Sequence, residues 1–192
     1  MKSRILTIFT VLAAAALAAC GDDDLYDIRA AYEVETDTLT VFAINGSPPT
    51  APVGLNTPFL AVVRADSSFN FDVAFDLTEH PDSVRIIPVS RVGGAFGAGR
   101  RIGIARLEQP YDSVRRAPSG GYVFDSTLVV GVGEGLAIQA VTPYCARDVS
   151  PMVFSKVIVD SVSATTREIF LRLTSDRNCG FRGLVDGVIP GS

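Results

Sequence analysis

The sequence predicts an all-β protein, a mostly antiparallel two-sheet β-sandwich, with a closed β-barrel as the alternative. Apolar and polar residues alternate with a period of two over residues 69–77 and again over residues 168–173, which is typical of strands with one buried face. Turn-forming residues separate about ten such segments at the spacing of a sandwich or barrel. No segment after residue 20 carries a sustained helical stripe.

The clearest strand is predicted at residues 69–77, where Phe or an aliphatic residue occupies every second position. Asp72 and Asp76 fall on the other, solvated face of that strand. In the segment near the end, Ile169, Leu171 and Leu173 share one face, and only Phe170 breaks the alternation. Residues 25–35 fit either a short helix or an opening strand. The other predicted strands are residues 38–44, 59–64, 84–89, 102–107, 122–124, 128–132, 136–141 and 153–162.

Two loops are candidates for binding. The glycine-rich residues 93–101 join two predicted strands and lack the Lys-Ser/Thr pair of a phosphate loop, so we expect a mobile hairpin loop there. Phe96, Arg100 and Arg101 are its candidate binding residues. The second loop is residues 115–121, which contains Arg115, Arg116 and a Pro-Ser-Gly-Gly turn.

The first residues have the pattern of an export signal. Lys2 and Arg4 precede an apolar run at residues 5–17, which is too short to span a bilayer core of about 30 Å. The run ends in Leu17-Ala18-Ala19-Cys20, which resembles the lipobox of bacterial lipoproteins. The sequence thus divides into a cleaved signal helix (1–19), a lipidated cysteine with an acidic tether (20–24) and one globular domain (25–192). The alternative is an ordinary secretory signal followed by an incidental thiol.

The resemblance implies that Cys20 carries a diacylglyceryl thioether, that its freed amino group is acylated, and that these chains hold the protein at a membrane. The residue after Cys20 is Gly21 rather than Asp, which by the enterobacterial sorting rule favours the outer membrane. Whether the domain faces the periplasm or the cell surface stays open. Because the acidic tether is short, we expect the domain to stand close to the headgroups.

The two remaining cysteines, Cys145 and Cys179, are expected to form a disulfide, because export places them in an oxidising compartment. The alternative is two buried free thiols. Neither cysteine has a CxxC partner or a histidine at ligand spacing, so no metal site is predicted.

Charge and motifs argue against several functions. Removing the signal with its two basic residues changes the formal charge from -4 to -6, which does not favour nucleic acid as a partner. His80, the only histidine, lies in a turn-like sequence without a GxSxG elbow, so catalysis is not predicted. No pattern indicates a cofactor. Arg177 and Arg182 frame a second, weaker candidate, an anion pocket near Cys179.

We therefore expect a lipid-anchored envelope lipoprotein that acts as a binding or structural interaction module, with an envelope protein as its partner. The alternative is a small-ligand or carbohydrate-binding lipoprotein that uses the two loops. The lack of tryptophan weakens the carbohydrate interpretation, and five tyrosines keep it open. An envelope enzyme is the third hypothesis.

Overall fold

The computed structural model describes residues 30–65, 70–92, 100–124, 126–148 and 150–190, which form two antiparallel sheets packed as a sandwich. The predicted all-β sandwich is confirmed, and the eleven strands described do not close into a barrel. The predicted signal helix, Cys20 and the tether lie outside the described residues. The described strands are β1 (Glu35–Phe42), β2 (Pro52–Asn56), β3 (Ala61–Arg64), β4 (Val73–Leu77), β5 (Ser83–Pro88), β6 (Arg101–Arg106), β7 (Val123–Phe124), β8 (Leu128–Gly131), β9 (Gly135–Val141), β10 (Met152–Ser163) and β11 (Glu168–Asp176).

The six-stranded sheet has the order β1-β11-β10-β9-β6-β7 and the five-stranded sheet the order β3-β2-β4-β5-β8. A single-turn helix, α1 (Val89–Val92), follows β5. The strand registers place residues 30–34, 57–60, 142–148 and 177–180 at one end of the sandwich, which we call the entry end because the described chain begins there. The far end carries the turns at residues 78–82, 131–134 and 163–167.

The main core lies between the sheets and is built by the inward side chains of the alternating strands. In β11 these are the predicted Ile169, Leu171 and Leu173, all fully buried. They pack with aliphatic residues of the neighbouring strands, with Phe75 of β4 and with Phe71, which lies just before β4. Burial of such side chains, at about 25 cal/mol per Å² of apolar surface, is the main force holding the two sheets together.

The outer face of the six-stranded sheet is also covered. Residues 107–122 and 177–190 fold over it, and Ala117, Phe154 and Leu184 form a second, smaller core there. The two covering segments pair with each other, since Ala117 N–H donates to Arg182 O (2.7 Å) and Leu184 N–H donates to Arg115 O (2.8 Å). This cover explains why several residues on the outward side of β10 are buried.

The predicted disulfide between Cys145 and Cys179 is present and joins the loop after β9 to the loop after β11. Cys145 is fully buried in a 3-10 turn over residues 143–145, which Thr142 caps by accepting a hydrogen bond from Tyr144 N–H. The bond closes a segment of 34 residues at the entry end.

One strand was missed and one expectation about a strand was wrong. Strand β2 was not among the predicted strands. The solvated face predicted for β4 does not exist, since Asp72 is fully buried and Asp76 is only 4% exposed. Thr57 and Arg100 contact Asp72, and Asn45 and Arg167 contact Asp76, so both carboxylates meet residues from distant parts of the chain. Alternation along one strand cannot report such contacts.

Candidate binding cleft at the sandwich edge

A cleft of about 1040 Å³ lies where the chain crosses from β7 in one sheet to β8 in the other. We call it the edge cleft; it is lined by residues 104–109, 113–116, 118–121, 123 and 128. Apolar side chains, among them Leu107, Val114, Val123 and Leu128, line it together with serines and arginines. A volume of this size is in the range of ligand-binding clefts, and the apolar lining favours a ligand that buries surface.

One wall of the edge cleft is a sheet edge. Strand β6 pairs with β9 along its whole length, from Arg101 to Arg106, but it pairs with β7 only at Gly103 and Ile104. Within the described residues, no strand therefore continues the sheet beside Ala105 and Arg106, which line the cleft. An unpaired strand edge offers backbone N–H and C=O groups to an added strand.

The edge cleft carries excess positive charge. Three arginines and a single acidic residue, Glu108, line it in the described part of the chain. Arg106 is paired with Glu134 at 2.7 Å, whereas Arg115 and Arg116 are exposed and have no ion-pair partner among the described residues. In a protein whose formal charge is negative, these two guanidinium groups favour an anionic ligand.

A buried lysine, Lys156, hydrogen-bonds the backbone of the loop that carries Arg115 and Arg116. Lys156 Nζ donates to Tyr111 O at 3.0 Å and to Val114 O at 2.8 Å, and it lies 4.5 Å from the centre of the Tyr111 ring. Burial lowers the pKa of Lys156. Sequence reasoning missed this residue, although a lysine within the apolar residues 153–159 is a visible signal of a buried charge.

Tyr111 anchors the same loop through its hydroxyl group, which hydrogen-bonds Thr174 Oγ1 at 2.7 Å. Burial raises the pKa of Tyr111 to about 12, so the phenol stays neutral at physiological pH. The loop is thus fixed at two points, and Arg115 and Arg116 project from a supported backbone rather than a free one.

The glycine-rich candidate loop is only partly described. Phe96 lies outside the described residues. Arg100 Nη1 forms an ion pair with Asp72 at 2.8 Å, and the Arg101 guanidinium lies 4.2 Å from the centre of the Phe124 ring. A Cβ at Gly103 would approach that ring within 2.7 Å, so glycine is needed for this packing. Both arginines therefore have partners within the fold, and neither lines the edge cleft.

Asp72 is a buried structural carboxylate. Its Oδ2 accepts hydrogen bonds from Thr57 N–H (2.7 Å) and Thr57 Oγ1 (2.8 Å), and its Oδ1 accepts from Arg100. Burial raises the pKa of Asp72, although Thr57 and Arg100 act in the opposite direction. Asp76 is held separately, by Asn45 and Arg167. The two carboxylates thus bind elements of the sandwich together.

The remaining candidates are not brought together as a site. Arg177 pairs with Glu35 at 2.8 Å, whereas Arg182 donates to Ala117 O, so the anion pocket predicted between these two arginines is wrong. His80 is exposed in the turn between β4 and β5, and its backbone groups hydrogen-bond Thr78 and Ser83.

Comparisons with known proteins give no relative. No family model, no curated protein and no solved structure matches this chain. Among the described residues, no helix is both long and apolar enough to cross a membrane.

Proposed function

We propose that this protein is a lipid-anchored lipoprotein of the bacterial cell envelope, and that its β-sandwich is an interaction module whose edge cleft binds an acidic, extended segment of an envelope protein. The observation that carries the proposal is the cleft itself, in which an apolar lining lies together with a strand edge and two arginines that have no partner within the described part of the chain. The outer membrane is the proposed location, because Gly21 follows the lipobox cysteine.

The anchor and the disulfide support the same compartment. The Leu17-Ala18-Ala19-Cys20 sequence supplies the proposed lipid attachment site. The disulfide between Cys145 and Cys179 is the kind of bond that persists in oxidising compartments outside the cytoplasm. An exported protein held by acyl chains meets its partners within the envelope, which is why we propose an envelope protein as the ligand.

Strand addition explains the features of the edge cleft together. A segment laid beside Ala105 and Arg106 would extend the six-stranded sheet past the short strand β7. Every second side chain of that segment would face the apolar lining, because strand residues alternate between the two faces. Acidic side chains on it would reach Arg115 and Arg116, and charge attraction of this kind speeds association and selects the partner.

A small anionic ligand is the second candidate, since the cleft volume also suits one. The two candidate ligands can be distinguished by the covalent adduct that each forms with a cross-linker in the cleft. A photo-reactive amino acid in place of Val123, which is 44% exposed at the cleft, should form a covalent protein adduct in the native envelope only if the ligand is a polypeptide.

The decisive experiment combines that cross-linker with charge reversal. We expect the adduct to form at position 123 and to fall about tenfold in an Arg115→Glu/Arg116→Glu protein, because two attractive contacts become repulsive. The matched control is Arg85→Glu, a reversal at an exposed arginine of β5 that does not line the cleft. An adduct that survives the double reversal would contradict the proposal.

The anchor is tested separately. Metabolic labelling with a palmitate analogue should label the native protein, and the Cys20→Ala protein should lose both the label and its membrane association. Equal labelling of the two proteins would rule out Cys20 as the lipidation site.

A further inference from the structure

Exposed aromatic side chains are concentrated at the entry end of the sandwich. Tyr32, Phe59 and Tyr144 are 38 to 49% exposed, which is high for such large apolar groups. The Phe59 and Tyr144 rings meet edge to face with centroids 5.4 Å apart, and Tyr144 lies close enough to Tyr32 for the two phenol groups to interact electrostatically. We call these three residues the aromatic face. Val188 is also exposed. It lies beside the aromatic face, because its carbonyl oxygen accepts a hydrogen bond from Val34 N–H, two residues after Tyr32.

The segment that follows the proposed lipid anchor at Cys20 joins the domain at the aromatic face. The Ala31 and Tyr32 N–H groups both donate to Asn178 Oδ1, at 2.7 and 3.0 Å, and Asn178 Nδ2 donates to Tyr32 O at 2.7 Å. These bonds fix the backbone immediately before β1. The nine residues between Cys20 and Ala30 can reach at most about 35 Å, so the entry end cannot move far from the lipid.

We propose that the aromatic face lies on the membrane surface, with Tyr32, Phe59 and Tyr144 at the level of the lipid headgroups. This inference rests on the proposed lipid anchor at Cys20. Tyrosine suits that position because its ring is apolar and its hydroxyl can stay hydrated. The disulfide and the Asn178 hydrogen bonds hold the loops of the aromatic face in place, so little freedom is lost when the face meets lipid.

The charges around the aromatic face indicate which lipid it fits. Arg177 stacks over Tyr32 at 4.7 Å but is paired with Glu35, while the exposed Arg147 is followed directly by Asp148. Because the described residues around the face carry no cationic excess, they give it no preference for anionic lipid. The occupant is therefore a zwitterionic headgroup layer, and its contact with the face is insensitive to salt.

Because of the proposed lipid anchor, a weak contact between the aromatic face and the bilayer is sufficient to orient the domain. Because the acyl chains already hold the protein at the bilayer, contact by the aromatic face is an intramolecular step with a high effective concentration. The tether limits how far the domain can move, and the aromatic face selects which end is turned towards the lipid. The far end is then held away by at least the length of β9, whose seven residues span about 24 Å.

The chain contains no tryptophan, so single tryptophans can report depth in the full lipidated protein. We would reconstitute Phe59→Trp and Tyr144→Trp proteins in phosphatidylcholine vesicles with and without brominated acyl chains. The matched control is Val132→Trp, at a residue of the far end that is 39% exposed. Bromine should reduce the emission of both entry-end tryptophans by about twofold or more, since interfacial rings lie near the acyl boundary. The control should not change, and 0.5 M salt should not alter the result.

The outcomes separate the face from the anchor. Protein that fails to float with the vesicles contradicts the lipid anchor and this inference together. Protein that floats but shows no quenching at positions 59 and 144, or equal quenching at position 132, overturns the aromatic face alone. A blue-shifted emission at position 59 without bromine quenching shows that protein covers the face, and it also overturns the inference.

Discussion

Replacing Asp176 by asparagine is expected to remove a pH dependence of folding stability between about pH 4 and pH 6. Asp176 ends β11 and is fully buried. Its Oδ1 accepts hydrogen bonds from the backbone N–H (2.9 Å) and Nδ2 (2.7 Å) of Asn178, but its Oδ2 has no partner among the described residues. Burial raises the pKa of Asp176 from 3.8 to about 6, against the effect of the Asn178 hydrogen bonds.

The sign and size of the effect follow from that difference. The folded protein binds the Asp176 proton more tightly than the unfolded chain does, so the folded state holds more protons between the two pKa values. This contribution to stability is fully present below the unfolded pKa and is lost as the pH rises through about 6. The difference between 3.8 and about 6 corresponds to about 3 kcal/mol. Asparagine does not titrate and keeps the carbonyl acceptor for Asn178.

The assay is urea unfolding followed by circular dichroism, at pH values from 4 to 8, for the native and Asp176→Asn proteins. The variant carries a constant cost from its unpaired amide group, so the slope against pH is compared rather than the absolute value. From pH 4 to pH 8 the native free energy of unfolding should fall by about 2 to 3 kcal/mol more than that of the variant. The exposed Asp82→Asn is the control. Parallel curves for native and Asp176→Asn proteins would refute the reasoning.

Two further predictions concern the links at the entry end. Arg100→Met should lower the free energy of unfolding by about 3 to 5 kcal/mol, because it leaves the Asp72 carboxylate buried without its charge partner. Adding Asp72→Asn to this variant should restore part of the lost stability. The control is Arg101→Met at an exposed site, which should cost under about 1 kcal/mol. An Arg100→Met protein as stable as the native one would contradict the assigned role of the ion pair. Reduction of the disulfide, which spans 34 residues, should destabilise the protein by about 4 kcal/mol in urea unfolding, and a change below about 1 kcal/mol would show that the closed segment is ordered by other contacts.

Local alternation was a good guide where one face of a strand meets the core and the other meets solvent or a loop. Strand β11 follows the predicted pattern, with Ile169 and Leu171 buried inward. It did not identify β2, which contains Pro52 and Gly54. Gly54 is a packing residue, since a Cβ there would come within 2.6 Å of the Phe71 ring. The sequence carries no local sign of that ring, because Phe71 arrives from another part of the chain.

The candidate edge cleft was predictable only in part. Residues 115–121 were a predicted binding loop, and most of them line the edge cleft. The partners of Arg100 were not predictable, because Asp72 was expected in solvent and is buried instead. Whether an arginine is free or paired depends on which distant residues fold beside it, and charge along the chain does not report this.

The amino-acid sequence by itself indicated the alternating strands, the all-β class and the pairing of Cys145 with Cys179, because these depend on short-range periodicity and on how few pairings exist. Tertiary structure alone decided which carboxylates are buried, where β6 lacks a neighbour and which aromatic rings gather at the entry end. Those properties arise from contacts between residues far apart in the chain, such as Tyr32 and Asn178. Only the folded backbone brings such residues within hydrogen-bonding distance.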